Sequence, residues 1–411
     1  MRKKFLKWVG ISLGVVLLVV AALGIWQRKL IIAIAENWDE LSNGSEIAAK
    51  LKTADDVLEY IAAHRDSVSM AAWSVGDEAN GIYLNADVPR PLASTVKVMV
   101  LAAYAAGVDA GELDPKEPVS LSSWERYWLP GTDGGAHPAA VKELRAKGAV
   151  TDDQASLRDV VWAMIRYSDN AATDLVMERI GRGTLEALPA RLALPGEDAP
   201  MPLAGSLLTW RNTREEAPAA QLLARYRTAE RADYADQAWE LAQSLRDDDG
   251  LRNAEVRRLE KDGIGLTIRE QAEFTKALNN RGTARGYASI MARVAADTLE
   301  GSGFMREQLE WPMRRENIQS SFETLGTKGG SLPGVLTSTF YAKPKGDGPN
   351  RVLALFFQDV PTAAWFAMME SAVHQQFELK VLEDDEYFQK VKARLAEGSP
   401  TTAPIQPFGG D

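Results

Sequence analysis

Between Val9 and Trp26 the chain is apolar without a charged residue. At 1.5 Å per helical residue such a run extends roughly 27 Å, close to the hydrocarbon thickness of a bilayer. Arg2, Lys3, Lys4 and Lys7 stand before it, and Arg28 and Lys29 follow. The bias of positive charge toward the leading end predicts a transmembrane helix within 1–29, with the remaining chain outside the cytoplasm. A cleaved signal peptide is the competing reading, but the run is long for one and Trp26-Gln27-Arg28 offers no small-residue cleavage site.

Leu30, Ile31, Ile34, Leu41, Ile47, Leu51 and Leu58 then recur at near-helical spacing and predict a helical connector over 30–65. From Ser67 to Trp73 the pattern is strand-like; Gly76-Asp77 signals a turn and Gly81 to Leu84 a returning strand. Pro89 and Pro91 break the chain ahead of Val98 to Ala106, an apolar run that reads as a buried helix. Residues 130–138, Pro-Gly-Thr-Asp-Gly-Gly-Ala-His-Pro, predict a loop. Helices are expected from Leu157 to Arg166 and from Ala171 to Ile180, the second closed by Gly181.

Residues 207–262 have a different texture, rich in Arg, Glu, Asp, Ala and Leu with few β-branched residues, and predict a helical insertion or lid. The helical pattern runs on to about 297. Strands return at Phe322 to Ser331, Val335 to Tyr341 and Val352 to Phe357, followed by a helix from Thr362 to Val373. A last helix and a Pro- and Thr-rich tail, expected to be disordered, occupy 381–411. Strands at both ends of 66–380 with helices between them predict an α+β domain, an antiparallel sheet of about five strands flanked by an all-helical subdomain.

Composition narrows the functional classes. Apolar residues at 45% and charged residues at 25% are ordinary for a globular chain of 411 residues. The net charge of −10 leaves no general basic surface, so nucleic acid is not an expected partner. No cysteine is present, which excludes thiolate catalysis, disulfides and zinc–thiolate sites. His64, His137 and His374 are scattered, so neither a Ser-His-Asp triad nor a His-rich metal site is signalled. No cofactor or metal is expected. Gly10-Ile-Ser-Leu-Gly14 matches a nucleophile elbow but lies inside the apolar run; as Gly-x-x-x-Gly it allows a homodimer through the anchor.

Three short motifs carry the candidate chemistry. Ser94-Thr95-Val96-Lys97 follows the proline break and opens the apolar helix. Residues i and i+3 share a helix face, so the Lys97 amine can reach the Ser94 hydroxyl. A serine needs such a base to become a nucleophile. The alternative is a capping serine with a solvated lysine. Ser168-Asp169-Asn170 joins two predicted helices and offers a hydroxyl relay and an amide, although all three residue types also cap helices. Thr327-Lys328-Gly329-Gly330-Ser331 ends a predicted strand, where glycine often marks the close approach of a ligand or another backbone; an exposed strand-end turn is the plainer reading.

In this order the motifs resemble the signature of class A β-lactamases and penicillin-recognising serine hydrolases. That resemblance implies a serine hydrolase with Ser94 as acylated nucleophile, Lys97 as its base and Ser168 as proton donor to the leaving nitrogen. It further implies that Asn170 orients the substrate amide, Lys328 attracts a carboxylate, and the strand around Gly330 and Ser331 binds substrate, with the Ser94 and Ser331 N–H groups as oxyanion hole. The implied substrate is a small-molecule or peptide amide such as a β-lactam or a D-Ala-D-Ala peptide. Tyr127 or Trp128 is expected to wall the mouth.

Two departures stand out. Gly329 occupies the position where the family usually has Thr or Ser, so Ser331 or Thr327 would have to supply the missing hydroxyl. No Glu-x-x-Leu-Asn string follows the second motif, and Glu197 is the nearest candidate for a deacylating glutamate. Without one, water attack on an acyl-enzyme is expected to be slow. An esterase or peptidase on the same fold, or a catalytically inactive membrane-tethered binding module, are the alternatives.

Overall fold

The computed structural model describes residues 39, 42–194, 196–215 and 217–397. The expected transmembrane helix, most of its junction with the connector, and the tail from 398 lie outside these residues. Among the described residues no helix is long and apolar enough to cross a membrane.

The sheet is assembled from both ends of the domain, as the pattern predicts. Strands β1 (Val68–Ser74) and β2 (Asp77–Leu84) form the leading hairpin; β3 (Phe322–Leu332), β4 (Val335–Pro344) and β5 (Arg351–Phe357) come from the far end. Their spatial order is β2-β1-β5-β4-β3, every pair antiparallel. β1 therefore pairs with β5 across almost the whole sequence, with Val68 opposite Phe357 and Ser74 opposite Arg351.

Strand β5 is buried along its full length, and the alternation of side chains explains why. Val352, Ala354 and Phe356 enter one core, packed with the Lys97–Asp109 helix and the Ala284–Ala295 helix. Leu353, Leu355 and Phe357 enter a second core with the Ala54–Ala63, Val373–Glu383 and Asp385–Ala396 helices. A strand covered on both faces has no polar side, which is why it reads as an unbroken apolar run. The Lys97–Asp109 helix is central in the same sense: every residue from Lys97 to Gly107 is buried.

Helix boundaries follow their caps. Ser156 and Asp159 form a reciprocal capping box that starts the Leu157–Arg166 helix. Asp169 caps the Asn170–Ile180 helix by accepting from Ala172 N–H. The expected loop over 130–138 is shorter than predicted, because a helix already begins at Ala136. The Asp133 carboxylate accepts from the Gly135 and His137 N–H groups, and Pro138 falls in the first turn, where a missing N–H costs nothing.

Residues 207–262 are helical as expected, comprising Ala219–Thr228, Arg231–Asp247, Asp249–Asp262 and the second half of Leu203–Trp210. Their cores reach past those limits. Trp210, Leu222, Tyr226 and Tyr234 pack with Met201, Phe274 and Leu278, while Leu208, Leu241, Leu245 and Leu259 pack with Leu129 and Ala204. This helical block stands against the edge of the all-helical subdomain nearest the three motifs.

Candidate active site

Ser94 lies in a tight turn, Ala93–Val96, that leads directly into the Lys97–Asp109 helix. The turn is clamped on both sides. Arg90-Pro91 pairs with Arg281-Gly282, Ala93 N–H donates to Asn279 Oδ1 (2.9 Å), and Thr337 Oγ1 on β4 donates to Leu92 O (2.7 Å) and contacts Thr95 Oγ1 (2.8 Å). Ala93 is held at φ 45°, a left-handed conformation that a non-glycine residue adopts only when its surroundings impose it.

The Lys97 side chain is fully buried, and its amine is surrounded. Nζ lies 3.0 Å from Ser94 Oγ, 2.6 Å from the Ser168 carbonyl oxygen, 3.1 Å from Ser168 Oγ and 2.8 Å from Asn170 Oδ1. Burial penalises the ammonium form and pushes the pKa down to about 7, against the opposing pull of Asp169, Asp174 and Asp133. Lys328, only 4% exposed on β3, sends its amine to Ser168 Oγ (3.1 Å) and to the Gly329 carbonyl (2.5 Å). Its pKa is lowered well below the usual lysine value, first by burial and then by the neighbouring Lys97.

Ser168 thus places one hydroxyl within reach of two amines. It does so at φ 64°, the second strained non-glycine residue of the site. Asp169 performs the capping that the plainer reading assigned to the whole triplet, which leaves Ser168 and Asn170 turned toward Lys97. The other Asp169 oxygen meets His137 Nδ1 at 2.9 Å in a buried pair, with Trp124 and Trp128 against the imidazole.

The third motif reaches the first through a glycine. A Cβ at Gly330 would sit 2.5 Å from Ser94 N and 2.8 Å from Leu92 O, so only a residue without a side chain lets β3 lie against the Ser94 turn. Ser331 follows, paired with Leu336 across β4. Thr327 cannot replace the hydroxyl missing at Gly329, because its Oγ1 donates to Thr339 O inside the sheet; Ser331 Oγ accepts from Trp365 Nε1, which leaves its own proton to donate.

Glu197 is not where a deacylating carboxylate would act. It is buried away from the cleft and accepts from Thr283 N–H and Thr283 Oγ1, holding the start of the Ala284–Ala295 helix. Burial pushes its pKa up to about 7. Spacing along the chain suggested it; in the fold its carboxylate is taken up by Thr283 instead.

In front of Ser94 opens a cleft of about 710 Å³, continuous with solvent. Ser94, Asn170, Tyr127 and Trp128 line it as expected, together with residues that the motifs did not indicate: Leu203, Leu207 and Trp210 from the helical block, Leu332 after the third motif, and Asn279 and Asn280. Asp174 fastens the wall. Its buried carboxylate accepts from Leu203 N–H (2.7 Å) and Ala204 N–H (2.8 Å), joining the Asn170–Ile180 helix to the Leu203–Trp210 helix. No sequence signal separated Asp174 from any other helical aspartate.

Residues 52–232 match the beta-lactamase enzyme family. This β-lactamase-like stretch contains Ser94, Lys97, Ser168 and Asn170, two of the three motifs behind the resemblance. Solved structures similar to the chain include a β-lactamase from Sphaerobacter thermophilus DSM 20745 (18% identity, 78% of this chain and 97% of that one, TM-score 0.46). A β-lactamase from Chitinophaga pinensis DSM 2588 is 14% identical over 79% and 97% of the two chains, with a TM-score of 0.46. A mutant of PBP-A in acyl-enzyme complex with penicillin G is 12% identical over 80% and 96%, also at 0.46. None of the curated proteins matches. The architecture is the β-lactamase-like α+β fold, a five-stranded antiparallel sheet with helices on its faces.

Proposed function

We propose that this protein is a serine hydrolase that cleaves amides through an acyl-Ser94 intermediate, with β-lactams and D-Ala-D-Ala-type peptides as the substrates its family suggests. The observation that carries the reading is the surround of Lys97. The Ser168 carbonyl and Asn170 Oδ1 can only accept, so they engage two N–H bonds of the amine. A neutral amine then has its lone pair left for a hydroxyl hydrogen, and Ser94 Oγ stands 3.0 Å away. Depression of the Lys97 pKa to about 7 makes that neutral form available near neutrality.

On this reading Ser94 Oγ attacks the substrate carbonyl carbon and its proton passes to Lys97. The negative charge that forms on the carbonyl oxygen is met by the Ser94 and Ser331 N–H groups. Collapse breaks the C–N bond, the leaving nitrogen takes the Ser168 hydroxyl proton, and Lys97 returns a proton to Ser168. Lys328, sharing the Ser168 hydroxyl, favours the transient oxyanion there. Asn170 orients the substrate amide. Water must then cleave the ester with Lys97 as the base, because among the described residues lining the cleft none is acidic. Deacylation is accordingly the slow step. The apolar run at 9–26 would tether this chemistry to the outer side of the cytoplasmic membrane.

Intact mass measured after incubation with benzylpenicillin, and separately with a fluorophosphonate, tests the proposal. A persistent adduct on the native chain, absent from Ser94→Ala, is expected. A chain that neither probe modifies would be the inert binding module instead.

A further inference from the structure

The cleft in front of Ser94 is walled by Leu203, Leu207, Trp210, Leu332, Tyr127 and Trp128, none of them charged, and the two amines of its floor, Lys97 and Lys328, are buried and bonded to Ser94 Oγ and Ser168 Oγ. A substrate carboxylate would need a cation or at least a hydroxyl to replace its water. The hydroxyl is missing at Gly329, that of Thr327 is donated to Thr339 O inside the sheet, and that of Ser331 is drawn toward Trp365 Nε1, from which it accepts. Lys328 is the one cation of the three motifs that could serve, and its amine is buried and turned to Ser168 Oγ and the Gly329 carbonyl.

We infer that the site selects acyl donors that are uncharged and apolar, neutral esters or amides with an aliphatic or aromatic group, over donors bearing a carboxylate. This inference rests on Ser94 being the nucleophile. The chemistry is unchanged: Ser94 Oγ bonds to the carbonyl carbon, the alkoxide or amine leaves with the proton relayed through Ser168, and water releases the acid. The wall decides which donors reach that point. Each methylene moved from water into an apolar wall contributes about 0.8 kcal/mol, or roughly fourfold in kcat/KM.

Two matched comparisons on the purified full chain test this. Benzylpenicillin is set against its methyl ester, and p-nitrophenyl acetate against the hexanoate, with fluorophosphonate labelling of Ser94 run in parallel. Expected are at least tenfold faster acylation by the methyl ester and at least tenfold higher kcat/KM for the hexanoate. Leu207→Lys, or Leu332→Lys should the first not fold, is expected to shift the preference at least tenfold toward the free acid. Labelling at Ser94 together with faster reaction of the free acid, or with no gain from chain length, overturns the inference while the serine mechanism stands. No labelling at all overturns both.

Discussion

The two sides of the cleft are built by opposite means. Its floor is a cluster of polar side chains, Ser94, Lys97, Ser168, Asn170 and Lys328, each with partners and two of them amines deprived of water. Its wall is apolar packing, Leu203, Leu207 and Trp210 leaning over from a helical block with cores of its own. Hydrogen-bonded geometry is all-or-none, since an amine moved by an ångström no longer reaches a hydroxyl, whereas an apolar surface loses contact area by degrees. The floor should therefore govern whether reaction occurs, and the wall with which donor.

Removing the base should have the largest effect. Lys97→Ala is expected to lower the acylation rate constant by about 10²–10⁴-fold, measured by stopped flow or time-resolved mass. In the native chain the same rate should fall as pH drops below about 7, because protonation of Lys97 removes the lone pair that accepts the Ser94 proton. A flat profile between pH 6 and 8 would mean that Lys97 is not the base.

Next comes the contact between β3 and the Ser94 turn. Gly330→Ala introduces a Cβ against two backbone atoms, Ser94 N and Leu92 O, which cannot rotate aside. Acylation slowed by about 10²-fold is expected from displacement of the nucleophile, with near-native thermal unfolding showing that the fold persists. An unchanged rate would separate the third motif from catalysis.

The wall should respond more gently. Leu207→Ala should raise KM for apolar donors by about tenfold and leave kcat within twofold, since the contact holds ground state and transition state alike. A collapse of kcat would show that the wall also positions the floor. Glu197→Leu should change the chemistry least: acylation and deacylation are expected within twofold of native. Thr283 N–H would be left buried without its acceptor, so unfolding should come about 1–3 kcal/mol earlier by denaturant titration. Loss of deacylation instead would reinstate Glu197 as a catalytic carboxylate.

Much of this was legible one segment at a time. A strand-like stretch with the Gly76-Asp77 turn signal gave the leading hairpin, and an apolar stretch without breaks gave the Lys97–Asp109 helix. Gly181 marked a helix end through local chemistry that needs no distant partner. The start of the helix at Ala136 was hidden because Gly and Pro also punctuate loops, and only the Asp133 bonds distinguish the two cases. Asp169 shows how a local and a functional reading can both hold within one triplet, its carboxylate capping while its neighbours face Lys97.

Chain chemistry alone established a helix-rich α+β protein without thiols, with three motifs in a telling order, because propensity, period and i+3 spacing are properties of neighbours in sequence. Whether the Lys97 amine is buried or solvated, whether Glu197 meets water or Thr283, and what lines the space before Ser94 were decided by folding. Those depend on desolvation and on contacts between residues far apart in sequence, 71 positions for Lys97 and Ser168 and 86 for Glu197 and Thr283, and neither quantity exists until the distant segments close around the site.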